Sequence, residues 1–164
     1  ASAISVTIGS TNTPRSGTKS IEGTLVASNT YITSVAASPF NPSLQNILFG
    51  YIQLKAAWAK AKAIQFQWYS GAAVKVGGIV TVIDGKYGFK CAVSGVYQQI
   101  VIPISDFLVP TGSTVDRLRM TFIGTGTNVG FFLDDLALQT GITVSPMGLG
   151  TAALDEVQIL KAAV

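Results

Sequence analysis

The 164-residue chain contains no histidine, which removes Ser-His-Asp and Cys-His hydrolase chemistry and histidine-ligated metal sites. It contains one cysteine, Cys91, so no internal disulfide staples it. Charge is scarce too: charged residues are 12% of the chain against 48% hydrophobic, a balance that excludes intrinsic disorder. No stretch reaches the roughly 20 uninterrupted apolar residues of a membrane-crossing helix, and membrane insertion is not expected. The polar opening, residues 1–17, lacks a basic region followed by an apolar core, so a soluble chain is expected, with any export signal outside this sequence. The net charge of +3 does not point to nucleic acid, because the basic residues are scattered. Lys55, Lys60 and Lys62 are one local cluster and Arg117 and Arg119 an isolated pair, whereas a phosphate-tracking surface concentrates many more.

What is present is a series of short apolar runs separated by Gly, Pro, Asn, Asp and Ser, at spacings that suit strands and turns. Residues 3–8, 21–26 and 31–35 are candidate strands, with a turn at 13–17 and a loop at 38–43, where Pro39 and Pro42 fall. Residues 51–54 open a further strand. The Ala- and Lys-rich run at 56–63 has helix propensity but is too short to stand alone, so an excursion between strands is equally open. Residues 64–69 alternate strictly, with Ile64, Phe66 and Trp68 on one face and Gln65, Gln67 and Tyr69 on the other.

Residues 74–76 and 79–83 flank a bulge or bend at Gly77-Gly78, and the turn Asp84-Gly85 leads into an expected returning strand at 87–93. Ile100, Ile102 and Ile104 alternate around Pro103, which places that strand at an edge or at its end. Leu118, Met120 and Phe122 alternate against Arg117, Arg119 and Thr121, and residues 131–138 close the series after a glycine-rich turn at 124–130. So many strands without a recurrent helix predict an all-β fold, a two-sheet antiparallel β-sandwich. The expected organisation is an N-terminal set of strands and loops over 1–49, a core over 50–140, and a tail over 141–164. Leu154, Val157, Leu160 and Val164, with Thr151 as cap, fit a short C-terminal helix, while 154–159 also fits an extra strand.

Strict alternation would turn Asp134 inward with Phe132, Leu136 and Leu138, where an unpaired carboxylate is costly. It therefore needs a bulge that turns it to solvent, or a partner. That partner is Arg117 or Arg119, a run of backbone N–H groups, or a structural calcium with Glu22 as a further oxygen donor. Asp134 and Asp135, as neighbours on a strand, point to opposite faces and do not flank one glycosidic bond, so catalysis is not expected.

The polar face with Gln65, Gln67 and Tyr69, extended by Arg117 and Arg119 if their strand lies in the same sheet, offers amides, guanidinium groups and an aromatic ring. That combination suits a glycan, and an ordinary solvated face is the alternative. Trp58, among lysines, is expected to be exposed and is the other aromatic candidate. Trp68 is expected in the core, and Cys91 to be buried and unreactive.

Three segments carry a resemblance. They are Val96-Tyr-Gln-Gln-Ile-Val-Ile-Pro-Ile-Ser-Asp-Phe107, Ser113-Thr-Val-Asp-Arg-Leu-Arg-Met-Thr-Phe122 and Phe131-Phe-Leu-Asp-Asp-Leu-Ala-Leu138. Together they resemble the second half of jelly-roll carbohydrate-binding modules, including those at the ends of bacteriophage tailspikes and tail fibres. The resemblance covers about residues 50–140. Two departures are that Tyr97 replaces the usual tryptophan and that no row of exposed aromatics is evident.

The resemblance implies a jelly roll, a structural calcium near Asp134, and glycan binding on a sheet face or at loop tips. It also implies a non-catalytic module of a virion tail or an extracellular enzyme. A cell-surface or capsular polysaccharide is the expected partner, and a homotrimer the expected assembly. A purely structural trimer-forming domain without ligand is the rival reading.

Overall fold

The computed structural model describes residues 6–10, 15–17, 20–26, 29–124, 128–140 and 156–159. Alternation of apolar and polar residues sets the strands. Within Ile47–Leu54 every second residue is buried, and within Val115–Ile123 Leu118, Met120 and Phe122 enter the core while Arg117, Arg119 and Thr121 do not. In chain order the strands are β1 (Val6–Ser10), β2 (Ser20–Val26), β3 (Thr30–Phe40), β4 (Ile47–Leu54) and β5 (Ala63–Ser70). They continue with β6 (Val74–Val82), β7 (Tyr97–Pro103), β8 (Val115–Ile123), β9 (Asn128–Thr140) and β10 (Glu156–Ile159).

All pairings are antiparallel. One sheet runs β1-β2-β9-β4-β7 with β10 also on β9, and the other runs β3-β8-β5-β6. Their facing sides share one core. Leu48, Ile52, Ile102, Phe131 and Leu138 from the first sheet meet Ile64, Phe66, Trp68, Leu118 and Phe122 from the second. Phe122 and Phe131 stack across the two layers with ring centroids 4.7 Å apart. The all-β sandwich expected from the sequence is the fold observed. Of the two C-terminal alternatives, Glu156–Ile159 is a strand, paired with β9. The expected strand start at residues 3–5, the centre of the glycine-rich turn at 125–127, and the rest of the tail, Thr151 included, lie outside the described residues.

Irregularities account for most departures from expectation. Residues 38–40 belong to β3, not to a loop. The register slips between Val35 and Phe40, so 36–39 bulge from a sheet edge where Pro39 has no ladder bond to donate, and Phe40 returns to pack edge-on against Trp68. Residues 87–93 are not a returning strand. They form turns whose polar groups are met by a side chain: Gln98 accepts the Lys90 N–H at 2.7 Å and donates to the Val93 carbonyl at 3.0 Å. The reason lies in the backbone bonds, which are spent locally: Phe89 N–H on the Lys86 carbonyl, Val93 N–H on the Lys90 carbonyl and Cys91 N–H on the Asp84 carboxylate, while Phe89 and Cys91 enter the core.

Residues 56–63 are the excursion rather than a helix, and here the sequence reading of Trp58 is corrected. Trp58 is 4% exposed, its ring 5.9 Å from Phe89 and 6.0 Å from Phe122. The flanking lysines misled because a loop, unlike a strand, turns a single residue inward without regard to its neighbours. Cys91 is buried as expected, and burial first, then the Asp84 charge, pushes its thiol up from its ordinary value. Trp58→Ala should cost about 3–5 kcal/mol in denaturant unfolding, as for a large core aromatic. A loss below 1 kcal/mol would return Trp58 to the surface.

Candidate functional site

β3, β8 and β5 lie side by side, so their outward residues form rows across the sheet. Tyr31, Thr121 and Gln65 make one row, Thr33, Arg119 and Gln67 the next, and Val35, Arg117 and Tyr69 the third. β6 adds Thr81 opposite Gln65 and Lys75 opposite Tyr69. The structure thus brings Gln65, Gln67, Tyr69, Arg117 and Arg119 onto one face of one sheet.

Their environments differ from the simple row. The Arg119 guanidinium lies 4.2 Å from the Tyr31 ring centroid and 4.3 Å from that of Tyr69, and donates a long hydrogen bond of 3.3 Å to the Tyr69 hydroxyl. β8 runs between β3 and β5, so the guanidinium is flanked by a ring from each side, contacts worth about 0.5–1 kcal/mol apiece. Covered in this way, Tyr69 is 6% exposed and offers no open ring to a sugar. Its role is to hold Arg119. Gln67 is also buried, for another reason: β6 slips register opposite it, and its Nε2 donates to the Val76 carbonyl at 3.1 Å and the Gly77 carbonyl at 3.4 Å. Gln67 seals the bulge expected at Gly77-Gly78 and is not available to a ligand.

Gln65, Arg117 and Arg119 remain partly exposed, and Trp58 lies in the core, apart from them. Tyr31 was not among the residues singled out from the sequence, although the alternation of Tyr31, Thr33 and Val35 against Ile32 and Ser34 is its signal. Lys75 was hidden because the bulge separates it from the regular part of its strand.

The Asp134-Asp135 pair lies on the other sheet. The β4–β9 register shifts between Phe49 and Tyr51, and Asp135 takes a left-handed φ of 49°. That bulge resets parity, so Leu133 and Leu138, five residues apart, both reach the core. Of the alternatives that the sequence left for Asp134, the bulge is present, and Asp134 does not turn into the core. One carboxylate oxygen accepts the Arg15 and Ser16 N–H groups at 2.8 and 3.2 Å, and the other accepts the Asp135 N–H at 2.8 Å. Asp135 takes the Arg15 guanidinium and the Ser16 hydroxyl, each at 2.5 Å, while Arg15 covers the Tyr51 ring at 3.5 Å.

Of the partners considered for Asp134, the run of backbone N–H groups is the one present. Arg117 and Arg119 are on the opposite sheet. Glu22 is ion-paired with Lys55. Both oxygens of Asp134 accept backbone N–H groups, and the Glu22 carboxylate holds the Lys55 ammonium. Among the described residues no group of three or more potential metal-ligating side chains occurs. In β7, on the far side of β4, burial first and then the Asp134 charge hold the Tyr97 phenol above its ordinary value.

No protein-family model and no curated protein matches the chain. Among solved structures, SGBP-B from a complex xyloglucan utilization locus in Bacteroides uniformis is similar at a TM-score of 0.53 and 12% identity, over 80% of this chain. The likeness is one of fold. The chain spans 43% of the length of that protein. A structure described as Family 16 Carbohydrate Binding Module-2 matches at a TM-score of 0.43 and 18% identity, over 76% of this chain and 78% of its own.

Asp134→Ala removes three hydrogen bonds to one carboxylate and should lower stability by about 1–3 kcal/mol in denaturant unfolding. A chelator such as EDTA should leave the melting temperature of the unsubstituted protein unchanged. A chelator-induced drop of several degrees would show that a cation shares this carboxylate.

Proposed function

We propose that the chain is a non-catalytic glycan-binding module whose site is the outward face of the β3-β8-β5-β6 sheet. The observation that carries this is the Arg119 guanidinium held between Tyr31 and Tyr69, beside Arg117 and Gln65. A flat, fixed, multi-donor surface of this kind suits sugar hydroxyls, which need several hydrogen bonds in set directions. The fold shared with a protein from a xyloglucan utilization locus supports the reading.

Absence of catalysis is supported by the carboxylates. Glu22, Asp84, Asp106, Asp116, Asp134 and Asp135 each hold a protein donor, so among the described side chains no two acids stand free to flank a glycosidic bond. Tyr31→Ala removes one wall of the guanidinium cradle without touching the core. On a glycan array, the unsubstituted protein should give hits that Tyr31→Ala loses by about ten-fold in apparent affinity, with melting temperature within a few degrees. A silent array for the unsubstituted protein would end this reading.

The setting we propose is extracellular, as an appended module of a virion tail protein or of a glycan-active enzyme. In the first case three copies would associate, an assembly that the low charge content favours by limiting repulsion between copies. Light scattering on a size-exclusion column should then give three times the chain mass, and a monomer at all concentrations would rule the trimer out.

A further inference from the structure

Among the described residues, the cations of this face have little counter-charge. Among the described residues, no carboxylate lies within ion-pair distance of Arg119. Arg117 has only Asp116, 3.6 Å from its Nε and beyond hydrogen-bond reach, and the other oxygen of Asp116 accepts the Gly71 N–H at 2.8 Å. The Nε atoms of both arginines are buried without a hydrogen-bond partner. Two residues apart on one strand, the two side chains leave the sheet about 7 Å from each other, with Lys75 two strands away in the row of Arg117. Like charges so placed repel, and holding them there with so little counter-charge is unfavourable.

Surface arginines usually escape such strain by extending into water. Arg119 does not, because Tyr31 and Tyr69 flank its guanidinium and the Tyr69 hydroxyl accepts from one of its terminal nitrogens. Its fork is thus oriented before any ligand arrives, and an arginine fork matches the two oxygens of a carboxylate or sulfate. The acids that would otherwise compete are engaged elsewhere: Glu22 with Lys55, Asp84 with the Cys91 N–H, Asp106 with Tyr87, and Asp134 and Asp135 with residues 15 and 16.

We propose that this face takes an anionic polysaccharide, with an oxyanion on the sugar bound by Arg119 and Arg117 and neighbouring hydroxyls bound by Gln65. This rests on the glycan-binding reading and adds the ligand class. A neutral glycan would leave Arg119 without a counter-charge and Arg117 with only the 3.6 Å contact to Asp116, whereas an acidic one supplies the missing charge.

Affinity electrophoresis through gels containing polygalacturonate, dextran sulfate or neutral dextran tests it. Retardation is expected from polygalacturonate or dextran sulfate but not dextran, and which of the two polyanions acts separates carboxylate from sulfate recognition. Arg119→Gln and, independently, Arg117→Gln should each weaken the dissociation constant by about ten-fold or more, while Lys90→Gln, an equal charge change on an exposed loop, should alter it by less than about two-fold. The second arginine variant keeps the test valid if the first fails to fold by circular dichroism. Equal weakening by Lys90→Gln would mean diffuse attraction of a basic chain to any polyanion, and would overturn the proposal. Retardation by dextran alone, or array hits confined to neutral glycans, would overturn it while leaving glycan binding intact. No retardation in any gel also overturns it, and the array then decides whether glycan binding falls with it.

Discussion

In an antiparallel sandwich, a side chain that enters the core sends its two neighbours to the other side of the sheet, and this parity governs where chemistry can be placed. β5 obeys it closely. Ile64, Phe66 and Trp68 are inside, so Gln65, Gln67 and Tyr69 are committed to the outer face before any question of function arises. β8 obeys it in the same phase, and pairing in register with β5 puts Arg119 and Arg117 beside Gln67 and Tyr69. The core thus selects the site indirectly, because the residues that drive burial fix the orientation of those that do not take part in it.

Where parity fails, the chain uses the failure. The slip opposite Gln67 draws an amide down to bond backbone carbonyls that a regular ladder would have used. The slip at Asp134-Asp135 turns two carboxylates toward residues 15 and 16 and ties a distant turn to the sheet. The slip in β3 lets a proline sit within an edge strand. Each irregularity exposes polar backbone atoms, and each is matched by a polar side chain or confined to an edge, as the cost of leaving such atoms buried and unpaired requires.

The sequence showed much of this architecture, for physical reasons that can be named. Alternation is a local property, so the strands at 64–69 and 117–122 were legible, whereas the shared face of Gln65, Arg117 and Arg119 rested on their strands lying in one sheet, which alternation does not show. The bulge at Gly77-Gly78 was legible because glycine marks it. Burial within irregular segments was not: Trp58 and Phe89 enter the core from turns, where no period announces direction. The burial of Tyr69 was equally hidden, since it depends on a side chain from β8 and a ring from β3 converging in space. Asp134 was half-legible; its need for a partner followed from the sequence, but the partner came from more than a hundred positions away.

The long strand β9 has a further consequence. One of its edges pairs with β4 over residues 131–139, broken by the bulge at Asp134-Asp135, whereas the opposite edge is divided, residues 128–133 pairing with β2 and 137–140 with β10. Two segments remote in sequence thus dock end to end along a single rail. If either segment peels away, half of the rail presents an unpaired ladder, and an unpaired ladder recruits whatever strand is nearest, including one from another copy. Peeling at that seam would thus open the sheet opposite the arginine face to strand exchange between copies.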